Sequence, residues 1–121
     1  MKNICETLSK QLLEYIALGI YKTDDKLPSV RELSTQYHVN PNTIAKVYTG
    51  LEEKGYIYAL PAKGYYVAKT TTFLKDAVLD EIKPYVKEIC MLATIAGIER
   101  NEIMNLLVEE EKRYDRSEKS F

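Results

Sequence analysis

Histidine occurs once in this chain and cysteine twice, at Cys5 and Cys90. That inventory cannot supply the thiolate and imidazole ligands of a structural zinc site, so no metal is expected. The two cysteines lie far apart within helical patterns and are read as buried thiols, not as a disulfide or a metal pair. Glycine and proline are scarce, and nothing resembles a Gly-rich phosphate loop, a nucleophile elbow or an acid–base pair. An enzyme is therefore disfavoured and no cofactor is expected. Long hydrophobic runs are missing too: "ICMLATIAGI", residues 89–98, is interrupted by Thr94 and reaches about half a membrane span. The opening "MKNICETLSK" carries charge where a signal peptide needs an apolar block. A cytoplasmic protein without membrane association is the expectation.

What is present is the composition of a soluble globular protein, 45% hydrophobic and 29% charged over 121 residues. This length suits one domain, or a small domain with an appendage, and gains stability from a partner subunit. The net charge of −1 argues at first against nucleic acid. It hides an asymmetry: residues 1–69 hold nine Lys/Arg against seven Asp/Glu, while residues 70–121 hold eight against eleven. Two halves of opposite sign point to two tasks.

Residues 4–18 form an apolar stripe of Ile4, Leu8, Leu12, Tyr15 and Ile16, closed by Gly19. A connection follows, with Asp24 and Asp25 as turn residues. "SVRELSTQY" then opens with Ser29 and Glu32 at capping-box spacing, which predicts a short helix with Val30 and Leu33 inward, ending near Tyr37 and His38. "VNPNTIAKVY", residues 39–48, starts a third helix, with Asn40 as N-cap, Pro41 in the first turn and Gly55 as the stop. Its apolar arc is Ile44, Val47, Tyr48 and Leu51; the opposite arc is Asn42, Ala45, Lys46 and Thr49.

Beyond Gly55 the period changes. "YIYAL" and "YYVA" flank "PAKG", a short hairpin with Pro and Gly in its turn. Three helices and a hairpin make the pattern of a winged helix-turn-helix. After "KTTT", Val78, Ile82, Tyr85, Ile89, Leu92 and Ala96 recur at heptad-like spacing. Pro84 falls inside that seam and predicts a kink or a helix restart, and Gly97 breaks the pattern. A last helix over residues 100–114 presents Ile103, Leu106, Leu107 and Tyr114, and the charged "EEEKRYDRSEKSF" is expected to fray. The fold class is thus mainly α with a small β-hairpin. A winged helix-turn-helix over residues 1–69 precedes a two-helix C-terminal dimerisation domain over residues 70–121.

"KLPSVRELSTQYHVNPNTIAKVYTGLEEKGYIYALPAKGYYV", residues 26–67, resembles the GntR family of bacterial transcription regulators. The features that match are "LPSVREL", Val39, "NTI" at 42–44, Tyr48 to Gly55 as "Y..LE..G", and the closing "GYYV". With the first helix, the resemblance spans about residues 4–68. The remaining piece is too short for the large effector-binding or aminotransferase-like domains of other members. In length and pattern it is similar to the two-helix tail of the YtrA-like subfamily, whose members dimerise through it. For that subfamily the resemblance implies a repressor of a transporter-type operon.

In a helix-turn-helix the third helix enters the major groove, where Asn pairs with adenine and Lys reaches guanine or phosphate. Helix N-termini also favour phosphate. The resemblance adds Arg31, together with Asn40, Pro41, Asn42 and Thr43, as DNA contacts, and sends the wing tip, Ala62, Lys63 and Gly64, to the minor groove. Several relatives carry a basic residue where Pro41 stands, and many a glycine in place of Ala62, so Lys63 is the expected wing contact. The expected DNA set is Ser29, Arg31, Asn40, Pro41, Asn42, Thr43, Lys46, Lys63 and Gly64. The expected dimer face is Val78, Ile82, Tyr85, Ile89, Leu92, Ile103, Leu106 and Leu107, because such a stripe left bare would be an unusual patch.

Plainer readings compete. Arg31 has the alternative of pairing with a carboxylate on its own helix, and Lys46 that of a solvated surface lysine. Tyr56, Tyr58, Tyr65 and Tyr66 offer a platform for unpaired bases, but hairpin packing is the favoured reading. His38 is read as a turn residue. The expected partners are double-stranded DNA with a pseudo-palindromic operator and a second copy of the chain; nothing identifies a small-molecule effector. The alternative function is a winged-helix protein-interaction module.

Overall fold

Asn3 starts the first helix, its side-chain carbonyl accepting the Cys5 N–H at 2.8 Å. The computed structural model describes residues 3–114. Helix α1, Ile4–Ala17, buries Leu8 and Leu12, with Cys5, Leu13 and Ile16 packed beside them. Ile4, the first member of the expected stripe, stays about half exposed.

Helix α2, Val30–Tyr37, begins on the reciprocal cap that its sequence predicts. The Glu32 N–H donates to Ser29 Oγ at 3.0 Å, and the Ser29 N–H donates to Glu32 Oε1 at 2.9 Å. It ends on His38, held in the left-handed region at φ 55° and ψ 44°. Ser34 ties this turn, donating its hydroxyl to the Val39 carbonyl at 2.6 Å and accepting the Val39 N–H on its own carbonyl at 3.1 Å. An exposed L-residue at that φ carries local strain that glycine lacks. His38→Gly is therefore expected to raise stability by about 0.5–1 kcal/mol, after allowance for the looser unfolded chain. Urea titration of the full chain measures it; a loss of stability would mean that the imidazole makes an unrecognised contact.

Helix α3, Pro41–Lys54, carries the largest share of the core: Ile44, Val47, Tyr48 and Leu51. Asn40 caps it, its Oδ1 accepting the Asn42 N–H at 2.8 Å. Gly55, at φ 92°, reverses the chain, and the Tyr56 N–H closes back on the Leu51 carbonyl at 3.0 Å.

Strands β1, Ile57–Leu60, and β2, Gly64–Val67, pair antiparallel with Ile57 opposite Val67 and Tyr58 opposite Tyr66. Ile57 and Val67 are buried on one face. Tyr58 and Tyr66 stack on the other, with ring centroids 5.6 Å apart. Residues 24–27 are more than a connection. Asp24 N–H donates to the Val67 carbonyl at 2.8 Å, Val67 N–H to the Asp25 carbonyl at 3.0 Å, and Leu27 N–H to the Tyr65 carbonyl at 2.8 Å. This segment covers the free edge of β2 and places Leu27 in the core.

Tyr48 is the centre of that core, fully buried, with its ring 4.7 Å from that of Tyr65. Its hydroxyl donates to the Pro28 carbonyl. Burial pushes the Tyr48 pKa far up, so the phenol keeps its proton and stays a donor. One hydrogen bond thus fixes the middle of α3 to the entrance of α2.

The chain divides into two compact units, one to Leu74 and one from Lys75. Helix α4, Thr72–Ala96, starts in the first, where Thr71 Oγ1 accepts the Leu74 N–H at 3.1 Å. Leu74 is the one buried residue of α4 and lies against Gly55, a few residues past the expected domain end at Lys69.

In the second unit α4 runs on through Pro84, so the restart allowed by the sequence does not occur. Proline removes one N–H and crowds one carbonyl, at a cost of about 3 kcal/mol, whereas a new helix would have to nucleate again. Gly97, at φ 69°, ends α4, and Ile98 N–H donates to the Ala93 carbonyl at 2.8 Å. Helix α5, Arg100–Glu111, follows and tightens into a 3-10 turn, Lys112–Tyr114. The expected fraying of "EEEKRYDRSEKSF" falls largely on residues 115–121, outside the described residues.

No described residue of this second unit is buried. Within the expected dimer face, Val78 and Ile103 are half-buried, while Ile82, Tyr85, Ile89, Leu92, Leu106 and Leu107 are exposed. Cys90 is exposed as well, which corrects the buried-thiol reading for that residue; Cys5 is half-buried on the core. The reason is that α4 beyond Leu74 has no packed interior in the single chain.

Candidate nucleic-acid interface

The expected DNA set occupies three places in the first unit: the first turn of α2, the start of α3, and the hairpin tip. Ser29 is half-buried, its hydroxyl oxygen engaged by the Glu32 N–H. The Ser29 backbone N–H, and secondarily its hydroxyl, holds the Glu32 carboxyl below the usual carboxylate range. The cap is thus complete above the unfolded-state value and is lost as pH falls through the folded one. Arg31 is exposed and pairs with no carboxylate among the described residues.

On α3, Asn40 and Asn42 differ although both are exposed. Asn40 has committed its Oδ1 to the cap, so only its NH2 remains. The Asn42 side chain has no hydrogen-bond partner among the described residues and keeps both donor and acceptor for an adenine edge. Pro41 is exposed and offers no donor. Thr43 is half-buried, on the flank of the helix, and its backbone N–H donates to the Asn40 carbonyl at 2.9 Å. Lys46 and Thr49 are exposed, one and two turns on from Asn42.

The hairpin tip is Pro61, Ala62 and Lys63, with Lys63 N–H donating to the Leu60 carbonyl at 3.0 Å. Ala62 stands at φ 62°, the left-handed region that favours glycine. Lys63 is exposed, and Gly64 at φ 117° opens β2. Of the hairpin tyrosines, Tyr65 packs on the core and Tyr58 donates its hydroxyl to Asp24 Oδ1 at 2.9 Å. That bond raises the Tyr58 pKa, with burial a smaller cause. Tyr58 and Tyr66 occupy each other's faces by stacking, so the packing reading of these rings is the one that fits.

Sequence reasoning passed over Lys26. It bridges to Tyr66, and a Cβ built on Gly64 would lie 3.4 Å from Lys26 Cε. A lysine ahead of "LPS" carries no signal of its own, because the partner strand is some forty residues away in sequence. Among the described residues no group of three or more His, Cys, Asp or Glu side chains is gathered for a metal ion. No helix among them is long and apolar enough to cross a membrane.

Comparison with known proteins agrees with this geometry. The pattern of the bacterial regulatory proteins, gntR family, matches residues 5–67. The HTH-type transcriptional repressor YtrA of Bacillus subtilis (strain 168) is 37% identical over 107 residues, 88% of this chain and 82% of the relative. A GntR family transcriptional regulator from Listeria monocytogenes superposes with a TM-score of 0.71 at 30% identity, over 89% of this chain and 95% of that one. The DNA-binding domain of AraR, solved in complex with operator ORR3, superposes with a TM-score of 0.55 at 28% identity over 56% of this chain and 82% of that one.

Proposed function

Because this chain belongs to the gntR family of bacterial regulatory proteins, we propose that it is a sequence-specific DNA-binding transcription regulator acting as a homodimeric repressor. The single observation that carries this reading is the division of α3. One arc anchors the helix in the core, while Asn42, Lys46 and Thr49 stand bare on the other and Asn40 caps the end. A helix presented in this way fits the major groove, with Lys63 of the wing at the minor groove. The operator complex of AraR supports duplex DNA as the partner class.

Residues 1–69 form the DNA-binding part in this proposal, with Leu74 packed beside Gly55, and the remainder to residue 121 dimerises. The unburied apolar arc of α4 and α5 supports the second assignment. Leu79 and Val86 flank the heptad seam, so the arc is wider than a two-helix contact needs and suits a four-helix bundle of two tails. A dimer of this kind reads a pseudo-palindromic operator, and the subfamily resemblance makes a transporter-type operon its target. The activity is binding, not catalysis, and its place is the cytoplasm with the chromosome.

Salt titration against duplex DNA tests the reading. A dimer neutralising about six phosphates gives a slope near −5 in log K against log salt, a loss of about a thousandfold between 50 and 200 mM. A flat dependence sinks DNA binding and favours the protein-interaction module. Asn42→Ala is expected to relax preference at one base per half-site by about 1–3 kcal/mol, and Lys63→Ala to weaken all duplexes alike. Unchanged affinity and preference in Asn42→Ala would displace α3 from the groove.

A further inference from the structure

Lys26 belongs to neither α2 nor the hairpin, yet it touches both neighbourhoods. Its backbone bridges to Tyr66 on β2, which puts its side chain on the same sheet face as Tyr66 and Gly64. The stem then lies across Gly64, with Cε 3.4 Å from where a Cβ would stand. It also lines a shallow hollow with Tyr21, Leu27, Pro28 and Glu32 at the entrance of α2. Its charge is exposed and has no hydrogen bond or ion pair within 4 Å among the described residues. Lys26 helps to lower the Glu32 pKa, but as the smallest of its causes, after the two hydrogen bonds to Ser29. The β-bridge fixes the backbone from which the lysine stem starts, so less of the residue has to be ordered on binding than for a lysine in a free loop.

We propose that Lys26 is a phosphate-binding residue, held between the entrance of α2 and the wing so that it grips the DNA backbone where these two elements meet it. This rests on the reading of the chain as a DNA-binding regulator. The φ of 117° at Gly64 calls for glycine, so the lysine stem passes over a residue that has no side chain. Arg31 on α2 and Lys63 at the wing tip would then flank Lys26, so that the basic contacts form a track along the backbone rather than isolated points.

The test uses the full chain and a duplex selected by the wild-type protein from a random library, titrated over 50–200 mM salt. Lys26→Ala is expected to reduce the magnitude of the salt slope by about 1 per bound protomer, across all duplexes, with unchanged base preference and thermal unfolding. Lys26→Arg restores the slope and Lys26→Gln does not. A merely structural lysine would shift the unfolding curve and leave the slope alone; that result overturns the proposal while the wild-type slope keeps the DNA-binding reading intact. A flat wild-type slope overturns both.

Discussion

Tyr48→Ala is expected to lower the stability of the first unit by about 3–5 kcal/mol, much of what a small domain has. Three losses add up at this position. The ring is fully buried and 4.7 Å from Tyr65 of β2, so truncation opens a cavity that close-packed surroundings fill only in part. The aromatic pair itself disappears. The hydroxyl's bond to the Pro28 carbonyl is cut, which frees the entrance of α2 from the middle of α3. Tyr48→Phe isolates that last term and should cost only about 1 kcal/mol. Urea titrations at one fixed protein concentration measure both. An alanine variant within 1 kcal/mol of wild type would show that this site collapses freely, and the core would have to be centred elsewhere.

Ile89→Asp is expected to abolish dimerisation and to weaken operator binding by about a hundred- to ten-thousandfold, since the second half-site then loses its effective concentration. Ile89 lies in the middle of the α4 seam and is 45% exposed in the single chain, so aspartate is tolerable in a monomer. Across a paired seam of Ile, Leu and Tyr side chains the same carboxylate would be desolvated, which costs several kcal/mol. Sedimentation and operator titration separate the outcomes. Loss of the dimer with an unchanged urea curve for the first unit supports the assignment; a dimer that persists moves the interface out of α4.

The helices of the first unit were legible because local chemistry and long-range packing agree there. Ser29 with Glu32, Asn40 with Pro41, and Gly55 each mark a boundary through bonds that span only a few residues. The stripe Ile44, Val47, Tyr48 and Leu51 is buried as its spacing predicts. The hairpin was equally plain, through the change of period and the "PAKG" turn. For the candidate interface, the polar arc of α3 could be read residue by residue. Asn40 as the cap and Asn42 as the outward side chain were legible too, through N-cap chemistry; that Thr43 turns to the flank and is half-buried was not.

What the sequence alone determined, then, is the order of elements, their boundaries and which arc of α3 is apolar, because periods, caps and turns act over one or two turns of chain. Family membership followed from the same spaced residues and the comparisons agree. Only the tertiary structure decided that residues 24–27 pair with β2, that Tyr48 reaches Pro28, that Leu74 is buried beside Gly55 in the first unit, and that Lys26 lies on Gly64. Each of these joins segments distant in sequence through no more than a few bonds or contacts. A lone bridge leaves no period, a tyrosine hydroxyl does not announce its acceptor, and a lysine looks the same whether it floats in solvent or rests on a glycine.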